Sequence, residues 1–132
     1  MESRAEQAVE KYLKGYNCAQ AVACTYCEDL GVDPVAMFKA MEGLGRGMAG
    51  TFEGTCGSVI GACALAGLKE STAKFEKPDR KMKTYALGKE IIRGFKEKNQ
   101  TISCHELKGI ETKKVICSCP DCVRDAARLA EE

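Results

Sequence analysis

The stretch GLGRGMAGTFEGTCGSVIGACAL, residues 43–65, joins two segments of opposite character. Its first half carries Gly43, Gly45, Gly47, Gly50 and Gly54, a density that would cost too much backbone entropy inside a helix and therefore predicts a loop. Its second half, from Cys56 to Leu65, carries Val59, Ile60, Ala62, Cys63, Ala64 and Leu65 and almost no polar side chain. A helix that is apolar on most sides belongs at the centre of a structure. Thr55 stands in place to cap it. Gly57 and Gly61, four apart, share one helix face and let another backbone come close. A buried helix needs others to cover it, and the flanking sequence provides them.

Upstream, Ser3-Arg4-Ala5-Glu6 reads as a capping box, and Ala5, Ala8, Val9, Tyr12 and Leu13 follow at helical spacing until Gly15. Asn17-Cys18-Ala19-Gln20 is a second box, with Ala21, Val22, Cys24 and Leu30 continuing to Gly31. Asp33-Pro34 opens a third helix that should end near Gly43, since Asp caps well and Pro suits the first helical position. Downstream, residues 69–77 read as a polar connector. Pro78-Asp79 then begins a long amphipathic helix with Met82, Tyr85, Ile92 and Phe95 inward, ending near Asn99. Ser103-Cys104-His105-Glu106 is a third capping box. Cys119-Pro120-Asp121 starts the last helix, with Val123, Ala126, Ala127 and Ala130 as its inner face. No segment alternates with period two and no repeat is visible. The expected fold is all-α, a compact bundle of about five to seven helices forming one domain over residues 1–132.

Composition narrows the function. Lys plus Arg number 20 and Asp plus Glu 19, so a net charge of +1 gives no electrostatic reason to expect a nucleic acid or an acidic membrane as partner. The first residues, with Glu2, Arg4, Glu6, Glu10 and Lys11, lack the apolar core of a secretory signal, and no apolar run reaches the roughly 18 residues of a membrane span. A cytoplasmic location is the expectation. There, nine cysteines, an odd number, argue against a disulfide framework and for catalysis, redox exchange or metal.

The predicted helix starts divide those cysteines. Cys18, Cys56 and Cys104 each fall at a first helical position, and Cys119 falls at a cap. Free amides and the positive end of the macrodipole favour a thiolate or an anionic cluster at such places. The dipole alone contributes about 0.3 to 1 kcal/mol, under one pKa unit, so something further must complete the activation. Cys24, Cys27 and Cys63 fall inside helices, where a thiol behaves as a small hydrophobe. Cys119-Pro120-Asp121-Cys122 places two sulfurs across a first turn, where thiol–disulfide exchange is rapid, and Cys117 adds a third nearby. The strands of a thioredoxin-like fold are missing. His105, the sole histidine, could carry a proton beside Cys104 or serve as a ligand, and a surface role is as reasonable. No strand precedes the glycine loop, as a dinucleotide-binding fingerprint requires, and no hydrolase constellation appears.

These residues carry a resemblance. Asn17-Cys18-Ala19-Gln20-Ala21, the glycine loop, and Cys56-Gly57-Ser58-Val59-Ile60-Gly61 resemble the redox-active protein family named after its cysteine pattern, C_GCAxxG_C_C, over nearly the whole chain. Ser58 stands where the family usually has Ala. Cys104, followed by Glu106 and Leu107, matches the third family cysteine. Cys119-Pro120, ahead of Val123 and Ala126, best matches the fourth, with Cys117 and Cys122 as rivals. The resemblance thus implies a site of Cys18, Cys56, Cys104 and Cys119. The chain also looks like the cysteine-bearing domain of split-Soret cytochromes, which carry c-type haem and an iron–sulfur centre. Covalent haem would need C-x-x-C-H, and before Cys104-His105 the required position is Thr101, so none is expected.

Two chemistries remain open for these four residues. In one they ligate a [2Fe-2S] cluster or zinc, whose charge offsets the repulsion among gathered thiolates. In the other they cycle metal-free disulfides, Cys18 with Cys56 and Cys104 with Cys119, as an oxidoreductase or redox sensor working with an unidentified redox partner. The alternative is a structural zinc protein or a helical interaction module with incidental cysteines. The sequence leaves a homodimer open.

Overall fold

The computed structural model describes residues 4–70, 82–107, 109 and 118–131, at 70, 82, 83 and 119 the backbone alone. The second capping box forms as read. The Asn17 side chain accepts the Gln20 N–H at 2.8 Å and Gln20 Oε1 accepts the Asn17 N–H at 2.9 Å, which starts α2 (Cys18–Tyr26). Asp33 caps α3 (Pro34–Met41) through the Ala36 N–H, with Pro34 at the first helical position. A 3-10 turn, Cys27–Leu30, follows α2 and ends on Gly31 at φ +79°, where a side chain would be strained.

Other starts differ from the reading. Ser3 lies outside the described residues, and α1 (Ala5–Leu13) begins after Arg4, with no side-chain cap. Glu131 does that work from the far end of the chain: its Oε2 accepts the Arg4 N–H at 2.6 Å. Thr55 does not cap α4 (Gly57–Glu70), because it forms an antiparallel bridge with Ser103. The helix therefore starts one residue later than predicted. The Cys56 carbonyl accepts from Val59 and Ile60, which makes Cys56 the cap and Gly57 the first helical residue. The helix also runs to Glu70, past the predicted beginning of the connector, as Leu65 and Ala66 stay buried and Leu68 packs on both core clusters. The rest of that connector, like Pro78-Asp79, lies outside the described residues.

The long helix α5 (Met82–Asn99) ends as predicted, but its buried stripe is centred on Ile91 and Phe95. Ile92 sits at the stripe's edge, half-buried, and Tyr85, on the same edge, is 51% exposed instead of inward. Helix α6 (Cys104–Leu107) is one turn, and its box is half made. Glu106 N–H donates to Ser103 Oγ at 3.5 Å, while the Ser103 N–H is taken by Thr101 Oγ1. Ser118, not Cys119, caps α7 (Cys119–Ala130), accepting the Asp121 N–H, which moves Cys119 to the first helical position.

Among the described residues the architecture is helical, with the Thr55–Ser103 bridge as its β-type contact. Helix α4 is central: α2, α5 and α7 pack on it, α1 covers α7 and α2, and α3 closes over α2. The main core holds Val22, Val59, Phe95, Leu107 and Val123, all fully buried. Where α2 crosses α4, a Cβ on Gly61 would stand 2.7 Å from the Ala19 carbonyl oxygen, so the close approach expected of Gly57 and Gly61 is realised. Asp125, buried on α7, accepts Lys98 Nζ at 2.6 Å and Asn99 Nδ2 at 3.3 Å and ties α7 to the end of α5. No helix among the described residues is long and apolar enough to cross a membrane.

Candidate functional site

Cys18 occupies the first position of α2, in the shelter of its cap. Asn17 Nδ2 reaches across to the Glu42 carbonyl at 2.9 Å, and Gln20 Nε2 reaches the Phe38 carbonyl at 3.0 Å. The capping box thus fastens the start of α2 to α3 as well as closing its own helix. Beyond α3 the chain turns through residues 45–50. The Arg46 N–H donates to Cys18 Sγ at 3.3 Å. On its other side the sulfur packs on Gly57, where any Cβ would overlap it. Cys18 is 4% exposed. Helix-start amides and a dedicated loop amide are donors that an interior thiol lacks, and both favour the ionised sulfur.

The turn itself is unusual for residues other than glycine. Arg46, Met48, Ala49 and Phe52 take positive φ of 51°, 75°, 52° and 62°. Left-handed backbone at four side-chain-bearing positions needs other bonds to impose it. Those bonds run back across the turn: Ala49 N–H to Gly43 O at 2.8 Å, Phe52 N–H to Arg46 O at 2.9 Å, and Gly54 N–H to Gly47 O at 2.8 Å.

The other two positions join the same turn from below. Cys56 N–H donates to the Ile102 carbonyl at 2.7 Å and Cys104 N–H to the Gly54 carbonyl at 3.1 Å, one on each side of the Thr55–Ser103 bridge. Gly47 is pressed against Cys104, whose Cβ would lie 2.7 Å from a Cβ built there. Cys18, Cys56 and Cys104 are therefore gathered around residues 45–57, all three buried. Among the described residues, however, no group of three or more His, Cys, Asp or Glu is arranged to hold a metal ion, so these three sulfurs do not by themselves make a ligand set.

The C-terminal cysteines divide differently. Cys117 lies outside the described residues, and Cys119 is described by its backbone only, at the start of α7. Cys122 is fully buried, in the core cluster that also holds Cys18 and Cys56. His105 is half-buried on α6 next to Cys104.

The thiols inside helices are shifted upward. Desolvation, and then the neighbouring Cys27, push the Cys24 thiol from 9.0 up to about 11. Burial likewise raises Cys27 and Cys63. At neutral pH a thiol at about 11 is ionised in about one molecule in ten thousand, which suits a packing role.

Sequence reasoning missed the Arg46 amide. A backbone donor has no side-chain signature, and only the glycine density around it hinted that the loop was shaped to meet something. It also missed the bridge, since a one-pair β-contact leaves no periodicity to read.

No curated protein and no solved structure matches the chain. A family model described as "Putative redox-active protein (C_GCAxxG_C_C)" matches residues 16–132, which takes in α2 and everything after it. The chain belongs to the C_GCAxxG_C_C family.

Proposed function

We propose that the chain is a thiol–disulfide redox protein in which Cys18 is the attacking thiol and Cys56 the thiol that resolves it. The observation that carries this reading is the Arg46 N–H donated to Cys18 Sγ at 3.3 Å, on a sulfur already at the first position of a well-capped helix. Its neighbour Cys56 caps α4, one residue before the Gly57 on which that sulfur packs. Cys104 and Cys119 are the second pair in this reading, again at helix starts.

The chemistry is an exchange of sulfur–sulfur bonds. The Cys18 thiolate attacks one sulfur of an oxidised substrate and the other sulfur leaves with the electron pair. Cys56 then attacks Cys18 Sγ, forms the internal disulfide and releases the second thiol. Two protons pass from the cysteines to the two thiols set free.

The test is a limiting dose of iodoacetamide on the reduced, metal-stripped protein near neutral pH, read by peptide mass. Cys18 should be labelled well before Cys24, Cys27 and Cys63, and Cys18→Ser should abolish disulfide formation with Cys56. Faster labelling of the interior group would reject the reading. Anaerobic purification, with a visible spectrum and an iron and zinc assay on the same sample, is the companion measurement. Iron or zinc that leaves only on unfolding, with all four family positions resistant to alkylation, would replace exchange by a metal centre.

A further inference from the structure

A cleft of 390 Å³ opens on the outer side of the Cys18 turn, lined by Tyr12, Leu13, Gly15, Tyr16, Asn17 and Arg46. Two of these residues also hold the sulfur: Asn17 caps the helix that Cys18 opens, and Arg46 gives Cys18 Sγ its amide hydrogen bond. The walls are otherwise aromatic and aliphatic, and Leu13, one of the apolar positions at helical spacing in α1, stands 71% exposed there. Arg46 is the charged residue of the lining. Its guanidinium lies over the Phe52 ring, 5.7 Å from the centroid, and among the described residues no carboxylate pairs with it. Arg4, Arg93 and Arg124, by contrast, each have a carboxylate partner. A cation with no carboxylate partner, held over a ring at the rim of an apolar cleft, is a receptor for an anion with an apolar body.

We propose that this cleft admits the oxidant of the thiol site, and that the oxidant is a disulfide bearing a carboxylate beside an apolar or aromatic group. The inference rests on the thiol–disulfide reading above. The carboxylate pairs with the Arg46 guanidinium, the apolar part lies on Tyr12, Leu13 and Tyr16, and the disulfide faces Asn17, above Cys18. Cys18 Sγ is covered by the very residue that receives the carboxylate, so seating the ligand and uncovering the sulfur act on one side chain and its own amide. In the step that follows, a bond forms between Cys18 Sγ and the nearer ligand sulfur, the ligand's S–S bond breaks, and the departing sulfur keeps the electron pair and takes up a proton. The Cys56 thiolate then displaces the second ligand sulfur from Cys18. The ligand disulfide is reduced to two thiols and the two cysteines are oxidised to one disulfide.

The experiment compares three probes on the reduced full chain near neutral pH and low salt: dithiobis(nitrobenzoate), which is anionic and aromatic, bis(2-hydroxyethyl) disulfide, which is neutral, and cystamine, which is cationic. The quantity read is the rate of Cys18 oxidation with the anionic probe relative to the neutral one. Arg46→Gln keeps the backbone amide that bonds the sulfur, and Gln meets the same left-handed backbone as Arg. The anionic-to-neutral ratio should fall about tenfold in Arg46→Gln, fall further in Arg46→Glu with a gain for cystamine, and shrink in the parent protein as salt is added. A ratio that Arg46→Gln leaves unchanged overturns the inference, whatever happens to the absolute rates. If none of the three disulfides oxidises Cys18 in the parent protein, the thiol–disulfide reading itself has failed and this one falls with it. Oxidation by the neutral probe with an unaltered ratio removes only the cleft.

Discussion

Cys18 depends on residues that contribute no side chain to it. Gly57 is required because its hydrogen leaves the volume that the sulfur occupies, and the Arg46 amide acts whatever the side chain of residue 46. Ser58, one position on, is the opposite case. Its hydroxyl is fully buried and, among the described residues, has no hydrogen-bond partner, at the place where the family resemblance leads one to expect Ala. A buried hydroxyl without a partner loses its hydration for nothing in return. Ser58→Ala should therefore raise stability by about 1 kcal/mol, with a small further gain because Ala is the better helix former. Urea unfolding followed by circular dichroism reads this directly, and a lower midpoint in the variant would show that the hydroxyl has a stabilising partner after all.

At the scale of elements, the crossing of α2 and α4 determines how Cys18 lies against the start of α4. It is set by Gly61, where a Cβ would stand 2.7 Å from Ala19 O and 3.2 Å from Val22 Cβ. In a free helix Gly→Ala stabilises by nearly 1 kcal/mol, but here the neighbour is backbone and cannot step aside. Gly61→Ala is thus expected to destabilise by about 1–3 kcal/mol net and to slow alkylation of Cys18 relative to Cys24. Unaltered stability in thermal unfolding would mean that the two helices are not in the contact described. That a backbone would come close to this face was legible in the sequence, because Gly57 and Gly61 fall four apart in an otherwise apolar run, though not that α2 would be the partner; the starts of α2 and α3, whose caps are local, were legible too. The starts at Cys56 and Cys119 were each misplaced by one residue because a tertiary bond or a neighbouring serine took over. Thr55 was drawn into the bridge with Ser103, and Ser118 outcompeted Cys119 as a cap. Local rules read local bonds, and the Arg46 amide, twenty-eight residues from the sulfur it meets, obeys none of them.

For the molecule as a whole, the buried thiols and Tyr26 make stability depend on pH at the alkaline end. Burial raises Cys24 from 9.0 to about 11 and raises Cys27 and Cys63 as well. Burial, and then the hydrogen bond to Glu131, hold the Tyr26 phenol above its ordinary range. All four groups are thus kept neutral by the fold. The stability they contribute is complete below their unfolded values and is lost as pH rises toward the folded ones. The urea midpoint should hold level up to pH about 8 and decline between 9.0 and about 11, and a midpoint that climbs across that window would contradict the assignment. The bridge between Thr55 and Ser103 has a different kind of consequence, one of order in time. A chain made from its N-terminus presents Cys18 and the glycine turn long before residue 103 exists, and the turn lacks its floor until Cys104 arrives to press on Gly47. The arrangement around Cys18 therefore stays incomplete in the growing chain until Ser103 and Cys104 have been made.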